Sequence, residues 1–118
     1  MAWVYRQNTG ELYHNGRLVT RGYSGKGQHK NNPASQSVRG LGPIPRGQYT
    51  IGSYTSSKGP MTIILEPSRA NHMYGRDAFR IHGDSLRDPG NASEGCIILG
   101  PNVRRDIINS TDRELVVE

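Results

Sequence analysis

The chain has 118 residues, of which 33% are hydrophobic, with 15 glycines, 7 prolines and a net charge of +5. This length suits one domain with a modest core, and the glycine and proline content argues against a bundle of long helices. No window is apolar enough for a secretory signal or a membrane span, so we expect a protein made in the cytoplasm that does not insert into membranes. We predict a single, mostly β domain over residues 1–118.

The first half of the sequence predicts short strands followed by a long loop. Residues 3–23 contain β-prone runs separated by turn signals, of which Asn15-Gly16 is a strong two-residue hairpin signal. Residues 24–42 are polar and rich in Gly and Asn, and a loop of this length is usually functional or mobile. Residues 48–51 then predict a further strand, because the prolines before them forbid a helix.

The second half predicts two more central elements, a helix and a last strand. MTIILEP, residues 61–67, is the most apolar strand candidate, and AFRIHG alternates so that Arg80 and His82 share one face of a strand. GPNVRRDIINS has helical spacing of its apolar residues, and ELVV after it predicts the final strand. The expected domain is therefore mostly β with one short helix after the cysteine.

Cys96 is the only cysteine, so the chain forms no internal disulfide and the thiol is either buried and inert or used in chemistry. IHGD is followed 14 positions later by SEGCI, which places both His82 and Cys96 beside glycines where the chain turns. If the cysteine begins a helix, the helix dipole lowers its pKa, and the Gly95 and Cys96 N–H groups can hold an oxyanion. His82 would then act as the general base.

Metal and cofactor chemistry have no support in the sequence. One cysteine and scattered histidines give none of the usual metal-ligand spacings, and His14 and His29 fit solvated surface positions. We expect no metal and no cofactor.

The motifs resemble those of a known enzyme family. IHGDS and ASEGCIIL together are similar to the catalytic motif of the L,D-transpeptidase (YkuD-type) domain, and GPIPRGQYTIG resembles a strand-opening motif of the same family. The small size and the YSGKGQHKNNP loop are similar to a compact branch that includes antibacterial effectors of type VI secretion. The likeness covers roughly residues 20 to 110 and implies a single β-sandwich-like domain.

The resemblance implies a role for each matching residue. Cys96 resembles the nucleophile and His82 the general base, while Ser93 and Gly95 resemble the turn that positions the thiol and the oxyanion donors. Gly83 matches a position whose carbonyl orients the imidazole, and the Asp84 carboxylate is an alternative for that role.

The sequence departs from the family pattern at two positions. Many members have a histidine before the Gly-Cys pair and an arginine two residues after the cysteine, where this chain has Glu94 and Ile98. Glu94 would raise the pKa of a nearby thiol. For the missing positive charge we consider three candidates, and these are Arg80, Arg76 and Lys26.

The activity implied by the resemblance is cysteine-dependent acyl transfer on peptidoglycan tetrapeptide stems. It would release the terminal D-alanine by L,D-carboxypeptidase activity or exchange it for another D-amino acid, and we favour these outcomes over a 3-3 cross-link to a neighbouring stem amine. We expect a secreted antibacterial toxin that acts in the periplasm of a target bacterium. Its partners would be stem peptides, with a possible immunity protein and a secretion-machine component.

Two other classes of function fit part of the sequence. Residues 1–60 carry eight Lys/Arg and one acidic residue, which indicates an anionic partner and allows a non-enzymatic module that binds nucleic acid or cell wall. The sequence has few aromatic residues for base stacking and no nucleic-acid motif, so we expect no nucleic-acid partner. A cysteine peptidase acting on protein would share the nucleophile and differ in substrate.

Overall fold

A computed structural model describes residues 2–118. About a third of the chain is strand, with one α-helix and two short 3-10 turns within the loop of residues 24–42. The strands are β1 Trp3–Tyr5, β2 Glu11–His14, β3 Arg17–Arg21, β4 Tyr23–Ser24, β5 Gly47–Thr55, β6 Thr62–Pro67, β7 Arg80–His82, β8 Ile97–Ile98 and β9 Glu114–Val117. The helix α1 is Pro101–Asn109.

The nine strands form one sheet in the order β3-β2-β1-β9-β5-β6-β7-β8-β4, which curls into a nearly closed barrel. Most neighbouring strands are antiparallel, and the described exceptions are the β1–β9 and β7–β8 pairs. A parallel pair needs a crossover connection, which for β7 and β8 is the loop of residues 83–96. That loop returns the chain to the sheet immediately after Cys96.

The predicted elements formed where the local signals were strong. Asn15 and Gly16 both have positive φ, at 53° and 77°, as a tight hairpin between β2 and β3 requires. Pro101 occupies the first turn of α1, where its missing N–H costs nothing. The prediction of a mostly β domain with one short helix after Cys96 is confirmed.

The core lies against the inner face of the sheet. Its largest fully buried side chains include Tyr5, Tyr49 and Ile63, and Ile107 of α1 packs into the same cluster. Ile81 and Ile97, which are paired in register on β7 and β8, are also buried there. Because Ile81 and Ile97 face the core, the side chains next to them along each strand face the other side of the sheet.

No described helix is long and apolar enough to cross a membrane.

Candidate active site

A cleft of about 450 Å³ opens beside β7 and β8. Both Cys96 and His82 line it, together with residues 39–40, residues 75–80, Lys58 and parts of the crossover loop. These segments are far apart in sequence and meet because β7 lies between β6 and β8. The two residues that the motifs singled out therefore share one open site.

Strand register explains why Cys96 and His82 face the same side. Ile81 pairs with Ile97 and His82 pairs with Ile98, in a parallel arrangement. Side chains alternate along a strand, so the buried Ile81 and Ile97 direct their neighbours to the opposite face. His82 and Cys96 lie on that opposite face, one step diagonally apart, and both contribute to the cleft wall.

His82 is fixed in one tautomer by its neighbour. Its Nδ1 lies 2.9 Å from the Gly83 carbonyl oxygen, and because a carbonyl only accepts, Nδ1 carries the proton and donates. The opposite nitrogen, Nε2, is then unprotonated and able to accept a proton. Burial lowers the pKa of His82, against the Gly83 hydrogen bond that raises it, and the charges of Lys58, Arg104 and Arg80 lower it further. The ring is thus a neutral base at neutral pH.

The thiol of Cys96 is partly buried and protonated at rest. Burial raises its pKa, while a hydrogen bond from the Arg80 backbone N–H and the positive charges of Lys58 and Arg80 act in the opposite direction. Glu94 adds to the increase, as its position before Gly95 led us to expect. Neutral imidazole and neutral thiol favour proton transfer during attack over a preformed ion pair.

The expectation that Cys96 begins a helix is wrong. Cys96 immediately precedes β8, and α1 begins only at Pro101. The reason is that Ile97 and Ile98 complete the sheet between β7 and β4, which the chain must do before it can turn into the helix. The helix dipole therefore does not lower the pKa of this thiol.

Ser93 holds the turn before the cysteine. Its fully buried hydroxyl donates to the Cys96 carbonyl at 2.6 Å and accepts the Gly25 and Gly95 N–H groups at 2.9 and 3.1 Å. Ser24, a residue that the sequence did not single out, donates to the Gly95 carbonyl at 2.8 Å. These bonds hold the turn that precedes Cys96 in one conformation. The Gly95 N–H is already committed to Ser93, so the expectation that it serves as an oxyanion donor is corrected.

Arg76 also holds the turn before Cys96 in place. It is 6% exposed, and its guanidinium donates to the carbonyls of Gln36, Gly42, Pro43 and Glu94 at 2.6 to 3.3 Å. A guanidinium with these four acceptors has little capacity left for a substrate. The interpretation of Arg76 as a substrate-binding cation is therefore replaced by a structural one.

Asp84 does not orient the imidazole. Its carboxylate accepts the Tyr23 hydroxyl at 2.6 Å and the Ser85 and Gly90 N–H groups at 2.8 and 3.1 Å. These bonds brace the crossover loop, and the orienting role falls to the Gly83 carbonyl. Of the two groups that the sequence offered for this role, the Gly83 carbonyl is the one that bonds the imidazole.

The other candidate cations differ in whether they line the cleft. Arg80 lines the cleft and donates to the Ala78 carbonyl at 3.0 Å, whereas Lys26 does not line the cleft. Lys58 does line it, and the sequence analysis missed it. Ile98, where many family members have arginine, is buried and pairs with His82, so it adds an apolar neighbour and no charge.

One comparison with known proteins gives a match. A family model described as the Tlde1 domain matches residues 19–117, which is most of the chain and includes every candidate catalytic residue. No curated protein and no solved structure matches.

Proposed function

Because the chain belongs to the Tlde1 domain family, whose members are type VI secretion effector domains, we propose that it is a cysteine-dependent acyltransferase acting on peptidoglycan tetrapeptide stems. The single observation that carries this proposal is that Cys96 and a tautomer-fixed His82 line one open cleft. An open cleft can admit a peptide substrate, as an effector that attacks cell walls requires.

The proposed reaction begins with attack on the stem peptide. The Cys96 sulfur attacks the carbonyl of the third-position diamino acid while Nε2 of His82 takes the thiol proton. Since the Gly95 N–H is bonded to Ser93, the oxyanion donor in this proposal is the Cys96 N–H, the other backbone donor of the Gly-Cys pair. The imidazolium then gives its proton to the leaving D-alanine nitrogen, which leaves a thioester on Cys96.

The thioester is resolved by an acceptor that His82 deprotonates. Water restores the thiol and gives a tripeptide stem, while the amine of a free D-amino acid gives an exchanged tetrapeptide. We favour these two outcomes over a 3-3 cross-link, because cross-linking requires a second stem peptide in the same site. Either outcome depletes the tetrapeptides used for ordinary cross-linking, which would make the activity toxic in the periplasm of a target bacterium. A producing cell would then need an immunity protein.

Mass spectrometry of muropeptides tests the substrate and the acceptor together. The purified protein is incubated with a disaccharide tetrapeptide, alone and with an added D-amino acid such as D-methionine. We expect tripeptide in the first case and D-methionine-containing tetrapeptide in the second. Unchanged muropeptides together with digestion of casein would instead identify a protein peptidase. Unchanged muropeptides together with salt-sensitive binding to nucleic acid would identify a binding module.

A further inference from the structure

The turn between β5 and β6 carries Lys58 to the rim of the cleft. Thr62, which is fully buried, accepts the Lys58 N–H at 3.2 Å and donates to the Gly59 carbonyl at 2.7 Å. Arg104 donates to the Pro60 carbonyl at 2.6 Å, which ties the turn to α1. The backbone at Lys58 is therefore held in place, while its side chain is exposed.

Lys58 differs from the other cations of the cleft in what its charged group contacts. Arg76 donates to four backbone carbonyls, Arg39 donates to the Gly75 carbonyl at 2.7 Å, and Arg80 to the Ala78 carbonyl. Within residues 2–118 the Lys58 ammonium forms no hydrogen bond or ion pair, although Asp77 and Glu94 also line the cleft. A free ammonium in a cleft with a nucleophile is suited to an anionic group of the substrate.

We propose that the Lys58 ammonium binds the carboxylate of the leaving D-amino acid. This inference rests on the proposed function. In a tetrapeptide stem the terminal carboxylate is separated from the scissile nitrogen by one carbon, so it must lie close to both Cys96 and His82 during the reaction. Lys58 takes the role for which the sequence suggested Arg80, Arg76 or Lys26, and it makes the site selective for a free carboxyl terminus.

The position of Lys58 relative to the reacting groups supports this choice of carboxylate. Lys58 lines the same cleft as Cys96 and His82, and its positive charge lowers the pKa of both groups. A carboxylate held beside it would lie next to the imidazole that protonates the leaving nitrogen. The carboxylate at the far end of the diamino acid side chain is separated from the attacked carbonyl by several carbons.

Alkylation of Cys96 tests the anion site without any peptidoglycan. Iodoacetate and iodoacetamide react with the same thiolate but differ in charge, so the ratio of their rates reports attraction of a carboxylate and cancels changes in thiol pKa. We expect Lys58→Met to lower the iodoacetate-to-iodoacetamide ratio by about 3- to 10-fold, and Lys58→Arg to retain most of it. The matched control is Lys26→Met, which should leave the ratio unchanged. Equal ratios in wild type and Lys58→Met would overturn the proposal.

Substrate kinetics test which carboxylate is bound. With the tetrapeptide stem we expect Lys58→Met to raise KM by about 10-fold, and with the same stem ending in a carboxamide we expect no difference from wild type. An equal loss with both stems would overturn the assignment to the terminal carboxylate. If wild type released D-alanine from neither stem, the proposed function would fail, and the alkylation ratio would still decide whether Lys58 forms an anion site.

Discussion

Gly95 packs directly against Arg76. A Cβ built on Gly95 would lie 2.6 Å from Nη2 of Arg76 and 2.8 Å from Cε1 of Phe79, and Gly95 itself has φ +136°. The turn before Cys96 thus depends on the absence of a side chain at Gly95 and on the buried guanidinium of Arg76 that packs against it. The glycine of the Gly-Cys pair is required by packing as well as by backbone conformation.

Gly95→Ala should therefore reduce stability and disturb the nucleophile. We expect a loss of about 2–4 kcal/mol in the free energy of unfolding, because positive φ is strained for alanine and Arg76 must move. The matched control is Gly16→Ala, which has φ +77° but nothing within 4 Å, and it should lose only about 1 kcal/mol. Urea denaturation of both variants measures the difference. Equal losses would show that Arg76 does not contact this turn tightly.

The pH dependence of activity should reflect a neutral thiol and a neutral imidazole. Burial lowers the pKa of His82 from its usual 6.5, so the base stays deprotonated until the pH falls below that value. We expect kcat/KM for D-alanine release to be maintained from pH 7 down to 6.5 and to fall only at lower pH. An acid limb centred above pH 6.5 would mean that the histidine charges more easily than its burial allows.

Alkylation by iodoacetamide gives the complementary result for the thiol. Burial raises the pKa of Cys96 above 9.0, and only the thiolate reacts, so the alkylation rate should still be rising at pH 9. A rate that reaches its plateau by pH 7 would indicate a thiolate–imidazolium pair and contradict the resting state described above.

Replacement of His82 should slow the reaction without unfolding the domain. We expect His82→Ala to reduce kcat by about two to four orders of magnitude, the range for loss of a general base. His72→Ala provides the control, because His72 is exposed, stacks on Tyr74 and does not line the cleft. Both proteins are compared by the initial rate of D-alanine release. A His82 variant with nearly normal turnover would remove this residue from the mechanism.

Local sequence signals sufficed for most of the strands and for the helix, and the motifs singled out two residues that line one cleft. Asn15-Gly16 specified a hairpin through backbone conformation, and the alternation in AFRIHG put His82 on the face opposite Ile81. The spacing of the motifs indicated a pair of residues, and the parallel register of β7 and β8 places that pair on one side. These features depend on residues close in sequence or on a simple period.

Long-range contacts were not predictable in the same way. Nothing in the sequence near Lys58 indicates that its turn reaches the cleft, since this depends on β6 lying beside β7 and on the bond from Arg104. The sequence alone allowed Arg76 to be a cation free to bind substrate. In the structure its guanidinium instead donates to carbonyls of residues up to 40 positions away. The helix-start interpretation of Cys96 failed because two residues of sheet separate the cysteine from the segment that leads into the helix.

The central claim is that the Cys96 sulfur forms an acyl-enzyme with the stem peptide, and one measurement tests it most directly. Wild type and Cys96→Ala are incubated with purified disaccharide tetrapeptide, and D-alanine release is followed by mass spectrometry after circular dichroism has shown that both proteins are folded. We predict release by wild type and none above background by Cys96→Ala. Release by folded Cys96→Ala at the wild-type rate would contradict the account.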